Sequence, residues 1–178
     1  MIDLRVNVDQ VALLRCLIGN CVKIVWDINA FYFNTQTATY KLECRTELPE
    51  GARSQYDEID YCKVFALEEA IEFENDSSKY WYKIIDTNTT VKSIYIIDVS
   101  HKFPEDKLID LDLEYKKQNG VNNYTIGLII ITENGRIPAF ITPSNFGFGW
   151  HPKFGYYSPN EIESLLNEIT PYYTKRKI

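Results

Sequence analysis

"KYWYKIIDTNTTVKSIYIIDVS", residues 79–100, is the stretch whose reading decides the fold. Its two ends, KYWYKIID and VKSIYIIDVS, are rich in aromatic and β-branched residues, which favour a pleated, half-buried chain. The polar TNTT between them, Thr87–Thr90, reads as a turn. The expectation is therefore two consecutive strands.

The same signals extend in both directions. Downstream, LIDLDLEY alternates strictly between apolar and charged residues. YTIGLIIIT, Tyr124–Thr132, is the most apolar segment and is expected to be a central strand. The turn ENG leads into RIPAFIT, where Pro138 implies an edge or a bulge. Upstream, VKIVWDINAFYF (Val22–Phe33) and TYKLECRTEL (Thr39–Leu48) read as strands joined by a polar connection. In the second, Tyr40, Leu42 and Cys44 alternate with Lys41, Glu43 and Arg45, so one face is dry and the other wet.

Helical signals lie near the two ends of the chain. Asn7 can cap a helix whose apolar face holds Val8, Val11, Leu14 and Cys16 to Ile18, and Gly19 ends it. SPNEIESLLNEI places Ser158 as a cap, Pro159 in the first turn, and Ile162, Leu165, Leu166 and Ile169 on one stripe. VFALEEAIEFEND reads as a further short helix, and residues 48–62 as a loop. No βαβ rhythm and no repeat appear. The expectation is an α+β fold: a single domain over residues 1–178, with a mainly antiparallel sheet of about six to eight strands and an N-terminal and a C-terminal helix.

Charge narrows the function. The chain has 25 acids against 19 bases, a net charge of −6. That balance argues against a phosphate-tracking nucleic-acid binder and against anionic membranes, since both recruit Lys and Arg. Between Asp57 and Glu114 stand fifteen acids against six lysines, −9 in a third of the chain. The end, TKRKI, reads as a short basic tail. Cys16, Cys21, Cys44 and Cys62 lack zinc-ligand spacing. With no secretory leader read at MIDLRVNVDQ and no long apolar run, they are expected to be reduced thiols of a cytoplasmic protein.

Three constellations are candidates for chemistry. Asp110, Asp112 and Glu114 fall at period two, with Lys116 next, so a strand places all four on one face. With "PED" (Pro104–Asp106) upstream of "LEYK" (Leu113–Lys116), this resembles the way PD-(D/E)xK nucleases present a metal site over about a dozen residues. It departs from that pattern because the strand is charged at every second residue. The solvated face of an edge strand explains the same spacing. His101 and His151 stand apart, with no nucleophile-elbow, HExxH or phosphate-loop motif. No catalytic residue and no cofactor is assigned.

Tyr56, Asp57, Glu58, Asp60 and Tyr61 form a tyrosine–carboxylate cluster suited to a basic partner. TPSNFGFGWHPKFGYYSP, Thr142–Pro159, holds six aromatics, three glycines and three prolines. Phe148, Trp150 and Tyr156 in it are expected either to pack on the sheet or to anchor a partner or small ligand. In composition and size the chain resembles bacterial immunity proteins and other inhibitors of toxins or nucleases. The function expected is a non-enzymatic, stoichiometric binding protein that neutralises a basic partner through Tyr56, Asp57, Glu58, Asp60, Tyr61, Asp110, Asp112, Glu114, Phe148, Trp150 and Tyr156. The alternatives are a metal-dependent nuclease or hydrolase using Asp110, Asp112, Glu114 and Lys116, and a small-ligand module at 142–159.

Overall fold

The computed structural model describes residues 2–27, 30–47, 59–67, 71–73, 82–102, 121–141, 154–155, 159–168 and 173–178. Strands dominate them. In chain order they are β1 (Ile2–Leu4), β2 (Cys21–Asp27), β3 (Ala30–Asn34), β4 (Thr39–Glu47), β5 (Ile59–Leu67), β6 (Tyr82–Lys102), β7 (Val121–Thr132), β8 (Gly135–Ile141), β9 (Phe154–Gly155) and β10 (Tyr173–Lys177). The helices α1 (Val8–Arg15) and α2 (Pro159–Glu168) are short additions to one continuous sheet. The order β5-β4-β3-β2-β6-β7-β8-β9 curls until β5 comes back against β7 and β8. The fold is thus a nearly closed, barrel-like sheet, and the expected α+β class is wrong.

The reason lies in the opening stretch. Tyr82–Lys102 is one strand of 21 residues, not two strands about a turn. TNTT contains no glycine and no proline, and three of its four residues are β-branched, so the chain runs straight through it. Its first half pairs with β2 up to Thr90, and its second half pairs with β7 from Val91 onward. On the β2 side β10 takes over at Tyr95–Val99. The gap between is closed by the turn after α1. There the Gly19 N–H donates to the Val91 carbonyl at 2.8 Å and the Val91 N–H donates to the Asn20 carbonyl at 3.1 Å. Gly19 has a φ of 81°, which an L side chain adopts only with strain.

Other expectations are also revised. Val22–Phe33 is not one strand but the β2–β3 hairpin. Val64–Leu67, placed in a helix by periodicity, completes β5; Cys62 and Val64 face the core while Lys63 and Phe65 do not, a period of two. The basic "tail" is strand β10, antiparallel to β6. β1 pairs with β7 in parallel, so the sheet is mixed rather than wholly antiparallel. Leu108–Tyr115, most of the Thr142–Pro159 segment, Ser158 and Ile169 lie outside the described residues.

Two cores hold the sheet. The interior gathers alternate residues of the curled strands, among them Ile24, Phe33, Leu42, Ile96 and Leu128, each at most 1% exposed. α1 plugs it with Val11 and Leu14. Asn7 starts that helix by accepting the Gln10 N–H at 2.9 Å. Leu166 of α2 covers Ile97 and Ile129 on the other face of β6 and β7. No helix among the described residues is long and apolar enough to cross a membrane.

Candidate functional site

Strand alternation puts Tyr32, Lys41, Glu43, Arg45, Tyr61, Lys63 and Phe65 on the outer face of β3, β4 and β5, because their neighbours Phe31, Phe33, Leu42, Cys44, Cys62 and Val64 take the core. Register sets them in rows. Tyr32, Lys41 and Phe65 stand side by side across three strands; Glu43 faces Lys63 and Arg45 faces Tyr61. Lys41 and Arg45 both form ion pairs with the mostly buried Glu43. The cations also lie over rings: Lys41 is 5.8 Å from the centroid of Tyr32, and Arg45 and Lys63 are 5.3 and 5.5 Å from that of Phe65. Burial, then the charge and hydrogen bond of Asp27 and the charge of Glu43, push the Tyr32 phenol up to about 12. It therefore remains a neutral donor at neutral pH.

Residues 71–73 strap the end of this face. The Asn34 amide donates to the Ile71 carbonyl at 2.5 Å, and the Ile71 N–H donates to Thr39 Oγ1 at 3.0 Å. Lys23 Nζ reaches the Phe73 carbonyl at 2.7 Å. Phe73 packs on Tyr32 and Tyr82, with centroids 5.1 and 5.4 Å apart. A depression of about 340 Å³ lies here, lined by Lys23, Asn34, Ile71, Glu72 and Phe73. Its lysine and amide are already spent on the strap's carbonyls, so the hollow is part of the packing.

The buried charge of the fold sits elsewhere. Asp98, 3% exposed, accepts the Thr125 hydroxyl at 2.6 Å and Arg176 Nε at 2.5 Å. Arg176 Nη2 donates to the Val6 carbonyl at 3.2 Å, while Thr125 Oγ1 accepts the Val6 N–H at 2.9 Å. A register shift at Ile97/Asp98 skips Ile126 and brings Asp98 opposite Thr125. This network fastens Val6 and Arg176 to β6 and β7.

Of the residues singled out from sequence, Tyr61 is a half-buried residue of β5 across from Arg45. Asp60 is in β5 opposite Thr46, and His101 is near the end of β6 opposite Asn122. Tyr56, Asp57, Glu58, Asp110, Asp112, Glu114, Lys116, Phe148, Trp150, His151 and Tyr156 lie outside the described residues. Among the described residues no group of three or more His, Cys, Asp or Glu is placed to hold a metal ion. Sequence reading missed the ring–cation rows, because the alternation in TYKLECRTEL identifies the wet face but not the strands that flank it.

Comparison with protein-family models, curated proteins and solved structures finds no match for this chain.

Proposed function

We propose that the chain is a stoichiometric binding protein of the immunity or inhibitor type, which neutralises a basic partner such as a toxin or nuclease domain in the cytoplasm. The observation that carries this reading is the crowding of charge along the sequence: fifteen acids stand against six lysines between Asp57 and Glu114, −9 in a chain whose net charge is −6. Charge concentrated in this way steers a cationic partner and sets the association rate. Tyr56, Asp57 and Glu58 immediately precede β5, the end strand of the sheet order. Asp60 and Tyr61 are the second and third residues of that strand. Asp110, Asp112 and Glu114 would add a second acidic group, and Phe148, Trp150 and Tyr156 would supply aromatic anchors.

The test is calorimetric titration against toxin and nuclease domains of pI above about 9, at low and at raised salt. Binding is expected to weaken steeply with salt and to fall at least tenfold on Asp57→Lys with Glu58→Lys. Glu163→Lys on α2 is expected to change it little. Salt-independent binding, or equal losses from both changes, overturns the reading. Metal-dependent cleavage abolished by Glu114→Ala would favour the nuclease alternative.

A further inference from the structure

We infer that Cys44 and Cys62 form an oxidative modification site, closing to a cross-strand disulfide in response to a hydroperoxide. The two residues are directly opposite in the β4–β5 ladder and both face the core. The kind of pair follows from one hydrogen bond. The backbone N–H of Val64 donates to Gln10 Oε1 of α1 at 2.9 Å, away from β4. In an antiparallel ladder the N–H and C=O of a residue point to the same edge, and the edge alternates along the strand. Cys62, two residues before Val64, therefore also turns its peptide groups away from β4. Cys44 and Cys62 are a non-hydrogen-bonded pair, for which the Cα atoms are about 4.5 Å apart and the side chains approach closely. That separation falls within the Cα range of about 4.4–6.8 Å that a disulfide spans.

The chemistry balances with the peroxide as the only oxidant. The thiolate of Cys44, 7% exposed against 1% for Cys62, attacks one peroxide oxygen. The O–O bond breaks, the sulfur keeps one oxygen as a sulfenic acid, and the other leaves as hydroxide, or alkoxide from an organic hydroperoxide, which takes up the proton released by the Cys44 thiol. Cys62 sulfur then attacks the Cys44 sulfur, the S–O bond breaks, and the hydroxyl leaves as water with the Cys62 proton. The two thiols lose two protons and two electrons, and one hydroperoxide is reduced to water or an alcohol and one further water. Cys44 is reached by local opening of the β4–β5 pair, the last in the sheet order. Reversible thiol oxidation of this kind fits a reducing compartment, where such bonds are transient and respond to oxidants. The closed ring runs from Cys44 to Cys62 and encloses residues 48–58 with Tyr56, Asp57 and Glu58. Its formation does not depend on what those residues bind.

The folded chain is treated with excess hydrogen peroxide, quenched, alkylated with N-ethylmaleimide in denaturant and mapped without reduction. The expected product is a linked peptide pair containing Cys44 and Cys62, two hydrogens lighter and separated by dithiothreitol. Closing a ring of this length should raise the Tm of the oxidised chain by roughly 5–10 °C. Cys16 and Cys21, both exposed, are internal controls for reagent exposure. Alkylation of Cys44 and Cys62 after Cys16 and Cys21 are consumed overturns the proposal. So does a link from either to Cys16 or Cys21, or a 44–62 link that forms only in urea.

Discussion

Replacing Arg176 by methionine tests what fastens the chain ends to the barrel. The change keeps the aliphatic stem and removes the cation beside a carboxylate that is 3% exposed. Removing one partner of a buried ion pair costs about 3–5 kcal/mol. The guanidinium side chain is 40% exposed, however, so water screens part of that interaction. The Thr125 hydroxyl also continues to donate to Asp98. We therefore expect a loss of about 2–3 kcal/mol, lowering Tm by roughly 4–12 °C. Asp98→Asn in the same chain removes the stranded charge and should return about 1–2 kcal/mol of that loss. Arg5→Ala is the contrast. Its ion pair with Asp3 is about half exposed on both sides and is worth about 0–0.5 kcal/mol, shrinking further with salt. Urea unfolding of the four chains at two salt concentrations measures all of this. If Arg176→Met cost no more than Arg5→Ala, or the Asp98→Asn double variant were no better than Arg176→Met alone, the buried-network account would fail.

Three further outcomes follow from single residues. The hydroxyl of Thr89 is buried and finds no hydrogen-bond partner among the described residues, so Thr89→Val should be neutral or stabilise by up to about 1 kcal/mol in urea unfolding. The Tyr32 phenol is raised from 10.0 to about 12, so the folded state holds that proton where the unfolded state has lost it. Stability attributable to it is complete below pH 10 and declines as pH rises toward 12; Tyr32→Phe should flatten that decline and remove one late phenolate from the absorbance titration at about 295 nm. Gly19→Ala meets nothing within 4 Å at its new Cβ, so only the backbone at φ 81° resists it, at a cost of about 1–2 kcal/mol in thermal unfolding.

The legible part of the fold was its local periodicity. TYKLECRTEL and YTIGLIIIT are strands because each residue's own side chain selects an extended, one-sided or buried setting. What escaped was continuity. TNTT is polar enough to resemble a turn, but its conformation is set by β2 on one side and by Glu133 on the other, whose backbone N–H and carboxylate contact Thr90. Those partners are distant in sequence. The same holds for TKRKI: it reads as a solvated tail until Asp98, 78 residues earlier, supplies a buried countercharge for Arg176. VFALEEAIEFEND misled for a related reason, since apolar residues at helical spacing also satisfy a strand when β4 fixes the register of the first four. Of the candidate site, the tyrosine–acid cluster was read from composition, whereas the ring–cation rows exist only through register.

A sheet that curls upon itself has few free edges, and this one uses its chain ends to cover what remains. β1 extends the outer edge of β7 beyond the pairing of β8, β10 extends the β6 edge beyond β2, and the turn at Gly19 fills the interval between them. The Asp98–Arg176 network joins these additions at a single buried point. Among the described residues, a framework closed in this way pairs most of its backbone donors and acceptors. On the reading proposed above, recognition comes from the acids of 48–58, which lie outside the described strands. Reversing acids in 48–58 should therefore change association rates while leaving the urea midpoint within about 0.5 kcal/mol of the parent chain, whereas reversing Glu43, held between Lys41 and Arg45, should lower the midpoint. Stopped-flow association and urea unfolding on the same variants separate the two effects, and a midpoint that falls equally in both sets would tie the acids to the fold instead of to binding.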